Sequence, residues 1–200
     1  MTRYDLVFID LGIKELSDIK PTNVVEIGSR DGQDAAFIAS IFNISHNNVV
    51  VVEPDPKSMM DIKRHFPSMN VYNCAISNDI GLKPFHLNNG ASSLLENIDG
   101  LPLETISVNC ITGKQLLEKT GFSKIDVAKI DVEGMTLNVL KSFGDDISKF
   151  QSMQLECEHI ESWKGQSLYN DISKYLTEHG FTQVLFSLLW KGQSDSFWLN

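Results

Sequence analysis

Two groups of residues have types and spacings suited to chemistry. The first is the run Glu26-Ile27-Gly28-Ser29-Arg30-Asp31-Gly32, together with Glu53 further along. Glycines at 28 and 32 permit a tight strand-to-helix turn and a close backbone approach to a ligand. Glu53 ends the next apolar run, about 20 residues on, where a carboxylate can accept both hydroxyls of a ribose. The second group is Lys129-Ile130-Asp131-Val132-Glu133-Gly134 with Glu156-Cys157-Glu158-His159. Its acids, cation and imidazole suit a displacement in which a nucleophile is oriented and its proton removed. Alternation places Lys129 and Asp131 on one side of a pleat, as a catalytic pair or as an ion pair fixing the strand end. His159 is the histidine nearest this edge, and an imidazole suits a base working near neutral pH. Glu156 and Glu158 share a face, where like charges raise a pKa or recruit a cation. A divalent metal held with Asp131 is therefore an alternative, disfavoured because oxygen-ligand sites need more preorganised carboxylates. Glu133 is expected to cap the first turn of the following helix.

The elements that must position these residues alternate. Strands are predicted over 23–27, 48–53, 70–77, 125–131 and 153–158, and helices over 33–42, 113–119, 133–143 and 168–179. Another helix opens at Pro54-Asp55-Pro56 and stops at Pro67. Residues 78–111 read as an antiparallel excursion, with strands over 82–87 and 106–111 flanking a mobile loop at Asn88–Ser93. The runs 182–188 and 196–199 are expected to form a hairpin. Strands alternating with helices give βαβ units and a parallel sheet covered on both faces, within one domain over 1–200. Ligands of such sheets bind outside the carboxyl ends of the strands, near the switch in strand order. Both chemical groups fall at such ends.

The first group also discriminates between adenosine ligands. A dinucleotide site needs a glycine two after the first, so that the backbone can reach the pyrophosphate. That position is Arg30 here, and Asp31 beside it repels phosphate. A phosphate-cradling G-x-x-x-x-G-K-[ST] loop is absent from the sequence. S-adenosylmethionine has no phosphate and carries an ammonium and a sulfonium, to which Glu26, Asp31, Glu53 and Asp131 are suited. An NAD-dependent oxidoreductase remains the alternative enzyme, favoured by Glu53 and opposed by Arg30 and Asp31. A non-catalytic Rossmann-like binding module is the alternative outside enzymes.

Four segments in order resemble the FkbM family of class I S-adenosylmethionine-dependent methyltransferases. They are the Glu26–Gly32 turn, Val52-Glu53-Pro54-Asp55-Pro56, Asn73-Cys74-Ala75-Ile76-Ser77 with Gly81, and Lys129-Ile130-Asp131-Val132-Glu133-Gly134, which is similar to the family's Lys-x-Asp-x-Glu-Gly. Ser29 and Arg30 stand where the family usually has Ala and Asn. The resemblance implies a Rossmann-like α/β fold with a seven-stranded, mostly parallel sheet, an antiparallel last strand and helices on both faces. It implies Gly28 and Gly32 against the methionine moiety, with Glu26 and Asp31 near its ammonium and Ser29 and Arg30 among the cofactor contacts of the same turn. Glu53 then holds the ribose, Pro54 and Ala75 flank the adenine, and Asp131 lies beside the reactive methyl. The acceptor it implies is a hydroxyl on a small molecule, sugar or natural product, with Asn88–Leu95 and Trp163–Tyr169 as lid and wall. Asp131, His159, Lys129 and Glu158 are the expected catalytic residues.

Composition narrows the partners. With 17 Lys and Arg against 26 Asp and Glu, the net charge is −9, which opposes binding to nucleic acid or an anionic membrane. Enzymes that methylate exocyclic base amines resemble a pattern of Asp/Asn-Pro-Pro-aromatic, where this chain has Asp-Val-Glu-Gly. An apolar content of 42% excludes intrinsic disorder, yet no apolar stretch approaches the ~20 residues of a membrane span. Asp5 and Asp10 interrupt the apolar run a signal peptide would need. Cys74, Cys110 and Cys157 lack metal-ligand spacing and read as buried, reduced thiols of a cytoplasmic protein.

Overall fold

β-branched runs make the centre of the molecule. The computed structural model describes residues 20–189 and 192–200, so Asp5 and Asp10 lie outside the described residues. Strands β1 (Val24–Ile27) and β2 (Val49–Val52) are buried at every position, as strands covered on both faces must be. Helix α1 (Gln33–Ile41) joins them, and α2 (Pro56–His65) leads from β2 to β3 (Asn70–Tyr72). The start of α2 is set locally: Asp55 caps it by accepting from Lys57 N and Ser58 N, and Pro56 occupies the first turn.

The 70–77 strand is in fact two. β3 ends at Tyr72, and β4 (Ala75–Ile76) pairs in a different sheet with β6 (Glu104–Ile111), beside β5 (Gly81–Leu87). Between them Asn73 turns its side chain back to donate to the carbonyls of Glu53 (2.9 Å) and Pro54 (2.8 Å). β5 and β6 are antiparallel, so the excursion is a small sheet of its own, ordered β4-β6-β5. The chain then returns through α3 (Gly113–Thr120), capped by Thr112, to β7 (Val127–Ile130), α4 (Thr136–Lys141) and β8 (Ser152–Glu158). Helix α5 (Tyr169–Glu178), β9 (Thr182–Leu188) and β10 (Gln193–Leu199) complete it.

The main sheet has the order β3-β2-β1-β7-β8-β10-β9. β3, β2, β1, β7 and β8 pair in parallel, whereas β10 is antiparallel to both β8 and β9. The antiparallel last strand is therefore inserted one place from the edge. Alternate residues feed two cores. Val24, Val49 and Val51 pack with α1 and α2, while Val25, Val50 and Val52 pack with α3, α4 and α5. The helices cover both faces, as expected. Strand order reverses at β1, between β2 and β7, and the register sets Glu26 beside Lys129 and Lys129 beside Gln154.

Helix α4 starts at Thr136 rather than at Glu133, because Glu133 (φ 45°) and Gly134 (φ 83°) are left-handed. Glu133 is therefore no helix cap. The three cysteines are free and buried. Among the described residues, no helix is long and apolar enough to cross a membrane.

Candidate active site

At the switch in strand order the turn after β1 crosses the end of β7 at very short range. A Cβ on Gly28, whose φ is +81°, would lie 1.8 Å from the Asp131 carbonyl oxygen. Gly28 N donates to Val52 O and Asp131 N to Ile27 O, both at 3.0 Å, which ties three strand ends together. The close approach expected at Gly28 is thus to protein backbone. Beneath the turn, Glu26 Oε2 accepts from Ser29 Oγ (2.8 Å) and Ala35 N (3.3 Å), and Ser29 Oγ accepts from Gly32 N (2.9 Å). Burial pushes the Glu26 carboxyl up to about 8 against the opposing charge of Lys129. Glu26 and Gly32 do not line the cleft; Gly32 packs instead against Ile62 and Phe66. They shape the turn from behind.

Glu53 is 6% exposed and faces the cleft. Its Oε2 accepts from Arg30 N (2.7 Å) and its Oε1 from Asp55 N (2.8 Å). Burial raises its pKa despite these two bonds. A carboxylate offers about four lone-pair sites, so each oxygen retains one for a ligand hydroxyl. Replacing Glu53 by alanine is expected to weaken S-adenosylmethionine binding by about 1.5–3 kcal/mol, the range for hydrogen bonds to a charged group. Calorimetry on the folded variant checks this, and unchanged affinity would refute the role.

Toward the carboxyl ends of β7 and β8 the acids converge. Asp131, Glu133 and Glu156 each offer an oxygen within 4.8 Å of the others. Burial, with the charges of Asp131 and Glu158, pushes Glu133 up to about 8, and burial with neighbouring carboxylates pushes Glu156 up to about 10. Lys129 Nζ pairs with Asp34 (2.5 Å) and Asp131 (3.3 Å). Burial opposes its charge, but Asp131, Asp34 and Glu26 outweigh it and hold the ammonium well above its ordinary range. Lys129 thus forms the ion pair with Asp131 that the strand alternation allowed, and shares it with Asp34.

Glu158 and His159 stand outside the cleft lining. Glu158 Oε1 accepts from Gly134 N (3.1 Å), which braces the Glu133–Gly134 turn, and burial pushes its carboxyl up to about 7. His159 hydrogen-bonds Ser194 Oγ (2.9 Å) and packs against the rings of Tyr169 and Phe186. His159 is thus held by Ser194, Tyr169 and Phe186 beside the cleft rather than in its lining. The acids that could hold a cation are Asp131, Glu133 and Glu156, with Glu133 in the place expected of Glu158. Trp163 is buried against Gly134 and forms no part of the wall, where Leu188 and Leu189 stand instead.

Gly28, Ser29, Arg30, Asp31, Glu53, Pro54, Ala75, Lys129 and Asp131 do line the cleft. So do Asn89, Gly90, Ser92 and Leu94 of the expected lid. Gly90 lies against the Arg30 guanidinium, and Ser93 Oγ donates to Glu133 O (2.7 Å), so this loop spans both groups. Asp34 and Asn73 are the supporting residues that sequence reasoning missed. Asp34 follows the glycine turn in the first turn of α1, the one signal that placed it near.

The cleft is about 1790 Å³, against roughly 300–1,000 Å³ for a single small ligand, so it has room for a cofactor and an acceptor together. Its lining has Asp31, Asp34, Glu53, Asp131 and Glu156 near Arg30 and Lys129, a donor set that fits a cation lacking phosphate.

This strand order, with one antiparallel strand inserted and the cleft at the switch, defines the Rossmann-like fold of class I S-adenosylmethionine-dependent methyltransferases. The chain belongs to the FkbM methyltransferase family, whose model, described as a methyltransferase FkbM domain, matches residues 26–182. S-adenosylmethionine is accordingly its cofactor. A methyltransferase FkbM from Methylobacillus flagellatus KT superposes with a TM-score of 0.63 at 11% identity, over 90% of this chain and 44% of that one. The present chain therefore spans less than half the length of that relative. Ribosomal protein L11 methylase from Lactobacillus delbrueckii subsp. bulgaricus is similar at a TM-score of 0.56 and 11% identity, over 98% of this chain and 79% of that one. Magnesium protoporphyrin IX methyltransferase from Synechocystis PCC 6803, solved with bound SAM, gives 0.53 and 10% over 98% and 79%. At these identities the likeness is one of fold. No curated protein matches the chain in sequence.

Proposed function

We propose that the chain transfers the methyl group of S-adenosylmethionine to a hydroxyl oxygen of a small molecule, sugar or natural product. The observation that carries this reading is the convergence of Asp131, Glu133 and Glu156 in a cleft that the glycine turn and Glu53 also line. When bound, the cofactor supplies a methyl group on a cationic sulfur. Ser29, Arg30 and Asp31 meet its methionine portion, Glu53 accepts from the ribose hydroxyls, and Pro54 and Ala75 flank the base. Lys129, anchored by Asp34, fixes the Asp131 carboxylate toward the reacting end. Asp131, Glu133 and Glu156 orient the acceptor hydroxyl, and a carboxylate oxygen of Glu133 takes its proton. Proximity in the shared cleft supplies much of the remaining rate. The same negative charge disfavours nucleic acid as acceptor. Three buried free thiols fit a reducing compartment, the cytoplasm.

The pH dependence has a definite sign. A base must be ionised, and the Glu133 carboxyl is pushed up to about 8, so its carboxylate fraction grows as pH rises toward that value. The rate should therefore rise about tenfold per pH unit from 6 and level off above about 8. Mass spectrometry of extracts incubated with methyl-labelled S-adenosylmethionine should reveal labelled methyl ethers with this profile. Labelled amines would overturn oxygen as the acceptor atom, and a rate that falls from pH 6 to 8 would overturn Glu133 as the base.

A further inference from the structure

The cleft has a second wall that the proton chemistry does not use. β5 and β6 set Phe85 directly opposite Ile106, with Leu87 two residues along on the same face. These side chains form a small cluster with Ala75, Val108 and Cys110, apart from the two main cores, and Leu94 packs on it from the loop. Phe85 is buried, whereas Leu87, Leu94 and Ile106 are only partly covered and line the cleft. The cluster's open side is therefore the ligand space itself. Its position along the cleft is fixed at both ends. Ala75 stands at the base-binding end, and Leu94 follows Ser93, whose hydroxyl donates to the Glu133 carbonyl at 2.7 Å. An apolar strip thus runs from the cofactor half to the edge of the acidic cluster.

A sugar ring against this strip would bury hydroxyls beside aliphatic and aromatic side chains that return no hydrogen bond, which is costly. A phosphate or carboxylate on the acceptor would lose its water against the same apolar strip, and would meet the Asp131 carboxylate beyond it. Resting on the methyltransferase reading, we propose that the acceptor is a hydroxyl compound with an uncharged, apolar body. Phe85, Leu87, Leu94 and Ile106 hold that body while its hydroxyl reaches the carboxylates. Among small molecules, sugars and natural products, this selects apolar alcohols and phenols over free sugars and phosphorylated acceptors.

Titration of the protein loaded with S-adenosylhomocysteine, which permits no turnover, tests this with three probes: 7-hydroxycoumarin, 7-hydroxycoumarin-3-carboxylate and methyl glucoside. The uncharged coumarin is expected to bind at least about tenfold more tightly than either of the others. Leu94→Glu, and independently Ile106→Glu, should weaken it by about tenfold or more while S-adenosylhomocysteine affinity is unchanged. Absence of coumarin binding, equal or tighter binding of the glucoside or the carboxylate, or full coumarin affinity in a variant that still binds S-adenosylhomocysteine would each overturn the proposal. If neither variant folds, the three-probe comparison on the unmodified protein decides alone. A protein that binds neither S-adenosylmethionine nor S-adenosylhomocysteine would instead overturn the methyltransferase reading on which the proposal rests.

Discussion

Replacing Glu133 by glutamine is expected to lower kcat roughly 10²–10⁴-fold, the usual contribution of a positioned base. Cofactor affinity should stay within about twofold, since Glu133 is not among the groups expected to hold the cofactor. Glutamine keeps the shape of the side chain and cannot take a proton, so the loss reports proton uptake alone. The left-handed backbone at Glu133 and the brace from Glu158 to Gly134 are retained in the variant. The rise of rate toward pH 8 should vanish as well, because the group that titrates there is gone. Asp131→Asn should also lower kcat, but it removes a partner of Lys129 and need not flatten the pH profile. His159→Ala serves as the contrast. Its ring sits against Tyr169 and Phe186 outside the cleft, so kcat should change less than about threefold beyond any loss of folded protein. A Glu133→Gln enzyme with normal kcat, or a His159→Ala enzyme as impaired as Glu133→Gln is expected to be, would contradict the placement of the catalytic edge.

Gly28→Ala is expected to cost more than about 4 kcal/mol, at the exceptional end for a single substitution, or to prevent folding. Two effects add. A left-handed φ of +81° costs an alanine about 1–2 kcal/mol, and its Cβ would fall 1.8 Å from the Asp131 carbonyl oxygen. The second cannot be relieved by a side-chain rotation, because the obstructing atom is backbone of a residue tied to Ile27 O just past the β1–β7 ladder. Gly121→Ala isolates the first effect: its φ is +70° and a Cβ there meets nothing within 4 Å. It should cost only about 1–2 kcal/mol in denaturant unfolding. Equal losses at the two positions would show that β1 and β7 do not cross as described.

The parts of this molecule legible in its sequence are those set by short-range pattern. Runs such as Val49–Val52 can only be strands covered on both faces, and a glycine turn followed by an acid-ended strand marks a nucleoside site. Alternation is a weaker guide to side-chain destination. Glu156 and Glu158 share a face of β8, yet only Glu156 reaches the cleft, because the Glu158 carboxylate is drawn under Gly134 N. That donor is exposed to it by the left-handed turn at Glu133 and Gly134, and a non-glycine residue with positive φ leaves no mark in sequence. The same turn delays α4 and frees Glu133 from the cap role. His159 illustrates the other limit, since its removal from the cleft depends on where β10 inserts and brings Ser194 beside it. The pairing of Asp34 with Lys129 likewise depends on how α1 settles over the sheet. Asn73 divides what reads as one strand by bonding to two carbonyls across the turn after β2.

All of the chemistry proposed above requires the cleft between the β1 turn and the acids of β7 and β8 to be an S-adenosylmethionine site. Isothermal titration of the whole chain with S-adenosylmethionine, and in parallel with NAD, tests it most directly. Saturable one-site binding of S-adenosylmethionine, weakened by about 1.5–3 kcal/mol in Glu53→Ala, and no saturable binding of NAD are expected. Saturable NAD binding without S-adenosylmethionine binding, or S-adenosylmethionine binding that Glu53→Ala leaves untouched, would contradict it.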